Sequence, residues 1–133
     1  MTTAIPDSHV DLLEGPIYVQ LASHMSNGAI QVHPVWCSYQ DGHILVNSAK
    51  GRVKDKNMRA NPSVTVFAGD PENPYRWLEV RGEVDEITEQ GADDHIDDLA
   101  ELYLNQRPYP FRAEGEVRVI YKIKPSRVTA FSM

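Results

Sequence analysis

The chain of 133 residues is acidic, with 19 acidic against 13 basic residues and a formal net charge of −6. This balance argues against a general nucleic-acid or membrane binder, and the single cysteine excludes an internal disulfide framework. No apolar run approaches the roughly 20 residues that span a bilayer, and the N-terminus lacks the basic and apolar regions of a signal peptide. We therefore expect a cytoplasmic protein with one domain over residues 1–133.

The chain begins with a short predicted helix over residues 7–13. From residue 17 to residue 22 apolar side chains then recur at every second position, which predicts a half-buried strand. The pair Asn27 and Gly28 is typical of a hairpin turn, so the next strand should return antiparallel to the first.

A second strand is predicted over residues 29–39, with Pro34 inside it. Because proline has no N–H for the ladder, we expect this strand to be bent, bulged or at a sheet edge there. The pair Asp41 and Gly42 predicts another hairpin turn, which leads into a third strand over residues 43–47.

Beyond the third strand, a helix is predicted over residues 52–60, stopped by the proline at position 62. A fourth strand over residues 63–68 and a long fifth strand over residues 75–87 follow. Gly82 in the middle of the fifth strand indicates a bend or the close approach of another backbone.

The third predicted helix carries apolar side chains at helical spacing, from Ala92 to Tyr103, and an acidic face that we interpret as solvated. A loop over residues 105–115 precedes two closing strands, over residues 116–124 and 127–131. Six or seven strands with few short helices predict a mainly β (α+β) fold, an antiparallel barrel. The interruptions at Pro34 and Gly82 favour a split or strongly coiled barrel.

The segment from Ser48 to Arg59 is the most informative part of the sequence. Five basic residues and one acidic residue give residues 50–59 a net charge of +4, whereas the rest of the chain, with eight basic and 18 acidic residues, has −10. A strand, a glycine and a helix start in this order bring backbone N–H groups to the same place as the cations. Ser48, Arg52 and Lys54 therefore predict a site for a phosphate-bearing small molecule.

Other interpretations of these residues stay open. The basic segment could be a solvated helix face, or a small nucleic-acid site, although aromatic residues are not interleaved with the basic ones. The segment from His33 to Trp36 could be an ordinary core strand, or an apolar wall suited to a planar ring. No histidine pair has metal-ligand spacing, so we expect no metal site, and Cys37 is expected to act as a small buried hydrophobe.

These motifs together resemble those of the pyridoxamine-5′-phosphate-oxidase-like split β-barrel flavoproteins, most of all the branch of probable coenzyme F420-dependent oxidoreductases. The resemblance extends from about Leu12 to Phe131. It rests on the segments 34–36, 48–62 and 70–82 and on the ending Lys124-Pro125-Ser126-Arg127-Val128.

The resemblance implies an FMN-binding type of split barrel that dimerises, with the cofactor in a groove at the interface. It implies that the cofactor phosphate is held by Asn47, Ser48, Arg52, Val53 and Lys54, and that the ring pocket is lined by His33, Pro34, Val35 and Trp36. It also implies that the groove is reached from the partner subunit by Tyr75, Arg76 and Trp77. The polyglutamate tail of the deazaflavin would be met by Lys50, Lys56 and Arg59.

The implied function is an oxidoreductase that transfers a hydride between reduced F420 and a small unsaturated organic substrate. No residue is assigned as catalytic, with solvent as the default proton donor and His33 as a weak candidate. Two alternatives stay open: an FMN-dependent oxidase or reductase of the same fold, and a flavin or deazaflavin carrier without turnover.

Overall fold

The computed structural model describes residues 4–133 and is built around one antiparallel sheet. Within these residues the backbone forms seven strands and three helices. In chain order they are α1 (Asp11–Glu14), β1 (Val19–His24), β2 (Ile30–Val35), β3 (Cys37–Gln40), β4 (His43–Ala49), α2 (Val53–Ala60), β5 (Ser63–Asp70), β6 (Asn73–Thr88), α3 (Ala92–Leu104) and β7 (Arg118–Phe131).

The sheet is curled into a split barrel. Its strand order is β2-β1-β5-β6-β7-β4-β3, so β2 and β3 lie at opposite edges although only Trp36 separates them along the chain. Because one residue spans only about 3.5 Å, the two edges must meet at Trp36. The predicted split antiparallel barrel is confirmed.

The second predicted strand is wrong as a single element, since it divides at Trp36 into β2 and β3. Pro34 pairs with Gln20 of β1 and has no strand on its other side, which confirms the expected edge position. Both predicted hairpins are present, with β1 paired to β2 and Gln40 of β3 paired directly to His43 of β4.

The two predicted closing strands are one continuous strand, β7. It passes through Pro125 because the pairing with β6 slips there: Arg81 faces Arg127, whereas Gly82 faces Pro125. Such a bulge tolerates a proline that a regular ladder would exclude. A Cβ atom on Gly82 would lie 2.5 Å from the carbonyl oxygen of Lys124, so the predicted close backbone approach is confirmed.

The barrel interior holds most of the buried side chains. Leu12 and Leu13 of α1 belong to this core, and Tyr121 of β7 is buried within it. Cys37 is fully buried and its burial raises the pKa of the thiol to about 12, as expected of a cysteine that acts as a hydrophobe. Helix α3 packs outside, on β4 and β7.

Candidate functional site

The basic segment forms a sharp turn between β4 and α2. Gly51 adopts a left-handed conformation with φ of 94°, which a residue with a Cβ atom adopts only with strain. Arg52 is the N-cap residue of α2 with extended backbone angles, and its side chain does not cap the helix. The first N–H groups of α2 are therefore left without a capping side chain beside the cations of the turn.

Asp55 fastens this turn to the barrel. The carboxylate is 2% exposed and accepts hydrogen bonds from the Gly51 amide (2.9 Å), from Arg59 Nε (2.9 Å) and from the Tyr121 hydroxyl. Burial raises the pKa of Asp55, but the hydrogen bonds outweigh it, so the pKa lies below its ordinary value of 3.8. The single acidic residue of the basic segment is thus a structural anchor.

A cleft of about 240 Å³ opens beside this turn. It brings together seven of the residues that the sequence predicted for the site. These are Pro34, Val35, Trp36, Asn47, Ser48, Arg52 and Lys54. The sequence motifs for the phosphate and for the ring thus meet in one cavity, because β2 and β3 bring Trp36 close to the end of β4.

One end of the cleft is cationic. The Ser48 hydroxyl is buried and has no hydrogen-bond partner within residues 4–133. Arg52, Lys54 and Arg118 surround this end, and one carboxylate, Glu116, bonds both Arg118 Nη1 and Arg52 (3.4 Å). Two of the three cations thus share one acid.

Lys54 is affected by this environment. Burial of its half-buried amine, together with the charges of Arg52 and Arg118, lowers the pKa of Lys54 below the ordinary value of 10.5. An anion in the cleft would relieve this repulsion and supply a partner to the Ser48 hydroxyl. The cationic end is therefore suited to a phosphate.

The other end of the cleft is aromatic. Trp36 stacks on Tyr103 with ring centroids 5.1 Å apart and planes at 16°, and Tyr109 meets Trp36 edge-on at 6.0 Å. The Tyr103 hydroxyl donates to the Ile17 carbonyl (2.8 Å) and accepts from the Cys37 amide (3.1 Å), which fixes the backbone on the C-terminal side of Trp36. Such a rigid apolar wall suits a planar ring system.

Eight predicted site residues lie outside the cleft of this chain. They are His33, Lys50, Val53, Lys56, Arg59, Tyr75, Arg76 and Trp77. His33 is exposed on β2, opposite Leu21. Lys50 pairs with Glu89 (3.3 Å).

Two more of these outlying cations bond carboxylates of their own chain. Arg59 pairs with Asp55 (2.9 Å), and Arg76 binds Asp11 and Asp70. By contrast, Lys56 makes no ion pair within residues 4–133 and borders a neighbouring groove of about 560 Å³ together with Val53. Tyr75 is 58% exposed.

The sequence interpretation missed six lining residues. They are Tyr18, Ile96, Leu99, Tyr109, Phe111 and Arg118. Arg118 carries a detectable signal, since it is the one charged residue among the apolar positions 117–121 and yet is 4% exposed. The guanidinium carbon of Arg118 also lies 5.2 Å from the centre of the Tyr109 ring.

The sequence interpretation treated the acidic face of α3 as solvated, but part of this face is engaged in ion pairs. Arg107 pairs with Asp98 (2.7 Å), and Arg112 pairs with Asp93 (2.7 Å). The amide of Tyr109 also donates to an aspartate of this face (2.9 Å). These bonds tie the loop after α3 to the helix, and so hold the aromatic residues of the loop at the cleft.

A larger depression of about 460 Å³ lies elsewhere, on the sheet around Ile30 and Arg81. It has neither the cluster of cations nor a buried hydroxyl without a partner within residues 4–133. The cleft beside the turn is therefore the candidate site. None of the helices in residues 4–133 is long and apolar enough to cross a membrane.

This curled antiparallel sheet is the oxidoreductase-type, flavin-binding split-barrel fold. Its cationic and aromatic cleft lies at the start of a short helix. The family model described as pyridoxamine 5′-phosphate oxidase matches residues 5–132, and the chain belongs to this family. The resemblance found in the sequence is thereby confirmed. No curated protein sequence matches the chain significantly.

Solved structures agree with this family. One called F420 reductase is 32% identical, with a TM-score of 0.84 over 94% of this chain and 98% of that chain. A FAD-binding protein from Mesorhizobium loti is 20% identical, with a TM-score of 0.63 over 95% and 94% of the two chains. HupZ of Group A Streptococcus is 17% identical, with a TM-score of 0.69 over 95% and 93%. The last two show the fold alone.

Proposed function

We propose that the protein is an oxidoreductase that holds a flavin-type cofactor in this cleft. The observation that carries the proposal is the buried Ser48 hydroxyl, which has no partner in residues 4–133 and belongs to a residue that lines the cleft together with the cations. Burying a hydroxyl without a hydrogen bond is costly, so a ligand oxygen there would remove a penalty. Ser48, Arg52, Lys54 and Arg118 would hold the phosphate, and Trp36 would border the ring.

We propose F420 as the cofactor. The support is the structure called F420 reductase, at 32% identity over nearly the whole chain. The predicted tail site is weaker support than the charge count suggested, because Lys50 and Arg59 are both ion-paired within the chain. Lys56 is the tail cation that makes no ion pair in residues 4–133, and we propose it as the main tail contact. FMN is the alternative cofactor.

We propose a small unsaturated organic molecule as the substrate. When bound, the cofactor supplies a hydride, so the chain has to bind and orient the substrate and keep water out. The aromatic wall around Trp36 and Tyr109 offers a dry surface for this. His33 lies outside the cleft of this chain, and we propose solvent as the source of the proton.

We also propose a homodimer that completes the site. The outer face of the sheet carries exposed apolar side chains, among them Val32 (55%) and Phe67 (40%), which is typical of an interface. Pro34 lines the cleft and pairs with Gln20, which in turn pairs with Phe67, so the apolar face is continuous with the cleft. A partner seated on this face would close the open side of the cleft.

The test is a titration of the purified protein with F420 and with FMN. We expect tighter binding of F420. Arg52→Ala and Lys54→Ala should each weaken it by roughly 1.5–3 kcal/mol, the range for hydrogen bonds to charged groups, which is about 10- to 150-fold in Kd. The control is Lys124→Ala, a change of an exposed lysine that borders none of the cavities described above.

Several results would decide against the proposal. Equal Kd values for the wild type and both cleft variants would remove the phosphate site. A yellow FMN spectrum in the protein as isolated would favour the FMN alternative. Tight F420 binding without oxidation of reduced F420 by a panel of unsaturated acceptors would favour a carrier. A monomeric mass with cofactor bound, measured by sedimentation, would contradict the site at a dimer interface.

A further inference from the structure

A buried histidine behind the cleft has no role in the function proposed so far. His95 of α3 is 6% exposed, and both nitrogens of its ring are engaged. Nε2 lies 2.9 Å from Ser38 Oγ on β3, and Nδ1 lies 3.1 Å from Asn47 Nδ2 on β4. His95 does not line the cleft, whereas Asn47 does.

The partners of the ring fix its protonation. An amide nitrogen is a donor only, so His95 Nδ1 must accept from Asn47, and the proton must lie on Nε2, which donates to Ser38. Burial lowers the pKa of His95 to about 4; the Asp98 carboxylate opposes this and Arg118 adds to it. His95 is therefore a neutral acceptor towards Asn47 at neutral pH.

Asn47 relays this orientation to the cleft. Its Nδ2 group donates to the Ala92 carbonyl (2.9 Å) as well as to His95, so both amide hydrogens point towards α3. Its Oδ1 atom accepts from Arg118 Nε (2.9 Å). The opposite orientation would place the NH₂ group against another donor, the Nε–H of Arg118, and the oxygen against the lone pairs of the Ala92 carbonyl and the His95 ring.

We propose that His95 is a positioning residue, which acts through Asn47 to hold the Arg118 guanidinium in place at the cationic end of the cleft. Arg118 is also bound by Glu116 of the loop before β7, so its two polar contacts come from different parts of the chain. The effect of His95 on cofactor affinity rests on the proposed function. Its effect on Arg118 does not.

The test compares two substitutions that each keep one nitrogen position of the ring. His95→Asn keeps an acceptor near the position of Nδ1 and loses the bond to Ser38. His95→Gln keeps a polar group near the position of Nε2 and loses the acceptor for Asn47. Ser38→Ala is the matched control, because it removes the other bond of the ring and leaves the acceptor for Asn47 in place.

The first measurement uses the cofactor-free protein and follows the solvent exchange of the Arg118 Nε–H by NMR. We expect His95→Gln to speed this exchange about fivefold, the equivalent of one hydrogen bond of about 1 kcal/mol, and His95→Asn and Ser38→Ala to leave it unchanged. Urea unfolding of all three variants measures how far the free energy of unfolding falls in each of them.

The second measurement is the Kd of F420 and of FMN for the same proteins. We expect an increase of about fivefold in His95→Gln, for the loss of one hydrogen bond, and none in the other two. Unchanged Arg118 exchange in His95→Gln, or equal acceleration in all three variants, overturns the positioning role. If the wild type binds neither cofactor, the proposed function fails, and the exchange measurement still decides the role of His95.

Discussion

Replacement of Asp55 tests whether the cationic turn depends on its one buried acid. The carboxylate accepts three hydrogen bonds, from the Gly51 amide, Arg59 Nε and the Tyr121 hydroxyl, and is 2% exposed. In Asp55→Ala the buried Tyr121 hydroxyl and the Gly51 amide lose their acceptor. Removing one member of such a buried charged group costs about 3–5 kcal/mol, which is a large part of the 5–15 kcal/mol that stabilises an average domain.

Urea unfolding at pH 7, followed by tryptophan fluorescence, measures this loss. The matched control is Asp94→Asn, which changes an exposed aspartate of α3 that makes no ion pair within residues 4–133 and should alter the free energy of unfolding by less than about 0.5 kcal/mol. Asp55→Asn should fall between the two, since an amide oxygen still accepts a hydrogen bond but its NH₂ group meets a donor.

The stabilisation that Asp55 contributes should depend on pH in one direction. The folded-state pKa of Asp55 is depressed, so its stabilisation is present above the ordinary value of 3.8 and is lost as the pH falls through the folded-state pKa. The difference between wild type and Asp55→Asn should therefore shrink in acid. An Asp55→Ala protein that unfolds within about 0.5 kcal/mol of the wild type would refute the anchoring role.

Three further predictions concern single positions. Cofactor affinity should fall as the pH rises, with a midpoint below 10.5, because the pKa of Lys54 is lowered. Titrations should show that Lys54→Arg keeps its affinity to higher pH than the wild type. Identical profiles of Kd against pH for the two proteins would contradict this. Gly82→Ala should destabilise the fold by about 1–3 kcal/mol in urea unfolding, since its Cβ would lie 2.5 Å from the Lys124 carbonyl oxygen, whereas Gly69→Ala, with its nearest contact at 3.6 Å, should be near neutral. His95 takes up a proton near pH 6.5 in the unfolded chain and at about 4 in the folded chain. As the pH falls between these values, the free energy of unfolding of the wild type should therefore decrease by up to about 3 kcal/mol more than that of His95→Asn. Parallel curves of unfolding free energy against pH would argue against a neutral buried ring.

The parts of the site that the sequence predicted are those encoded by neighbouring residues. The strand, glycine and helix around Ser48 form a local pattern, and the structure has it with Gly51 in the left-handed conformation. The edge position of Pro34 was also predictable, because a missing N–H group limits where a strand can lie. Local chemistry is enough in both cases.

The rest of the site depends on contacts between distant segments. Arg118 is 71 residues from Asn47 along the chain, and nothing in the spacing of either residue indicates that β4 and β7 would be paired. Tyr109 lies in a loop without periodicity, and its position depends on ion pairs to α3. Periodicity identifies which face of an element is buried, but not which element covers it.

The basic segment illustrates the difference between a local charge and an electrostatic site. Its net charge of +4 over residues 50–59 suggested one field, but Lys50 and Arg59 are paired with acids, and Lys56 borders a different groove. The field in the cleft comes instead from Arg52, Lys54 and the distant Arg118, reduced by Glu116. These cations line the cleft together with Ser48, whose buried hydroxyl has no partner within residues 4–133, so the cleft is suited first to a phosphate, which both proposed cofactors carry. We therefore propose that selection between the two cofactors depends on residues outside the cleft of one chain, where the tail cation and the proposed partner subunit would meet the ligand.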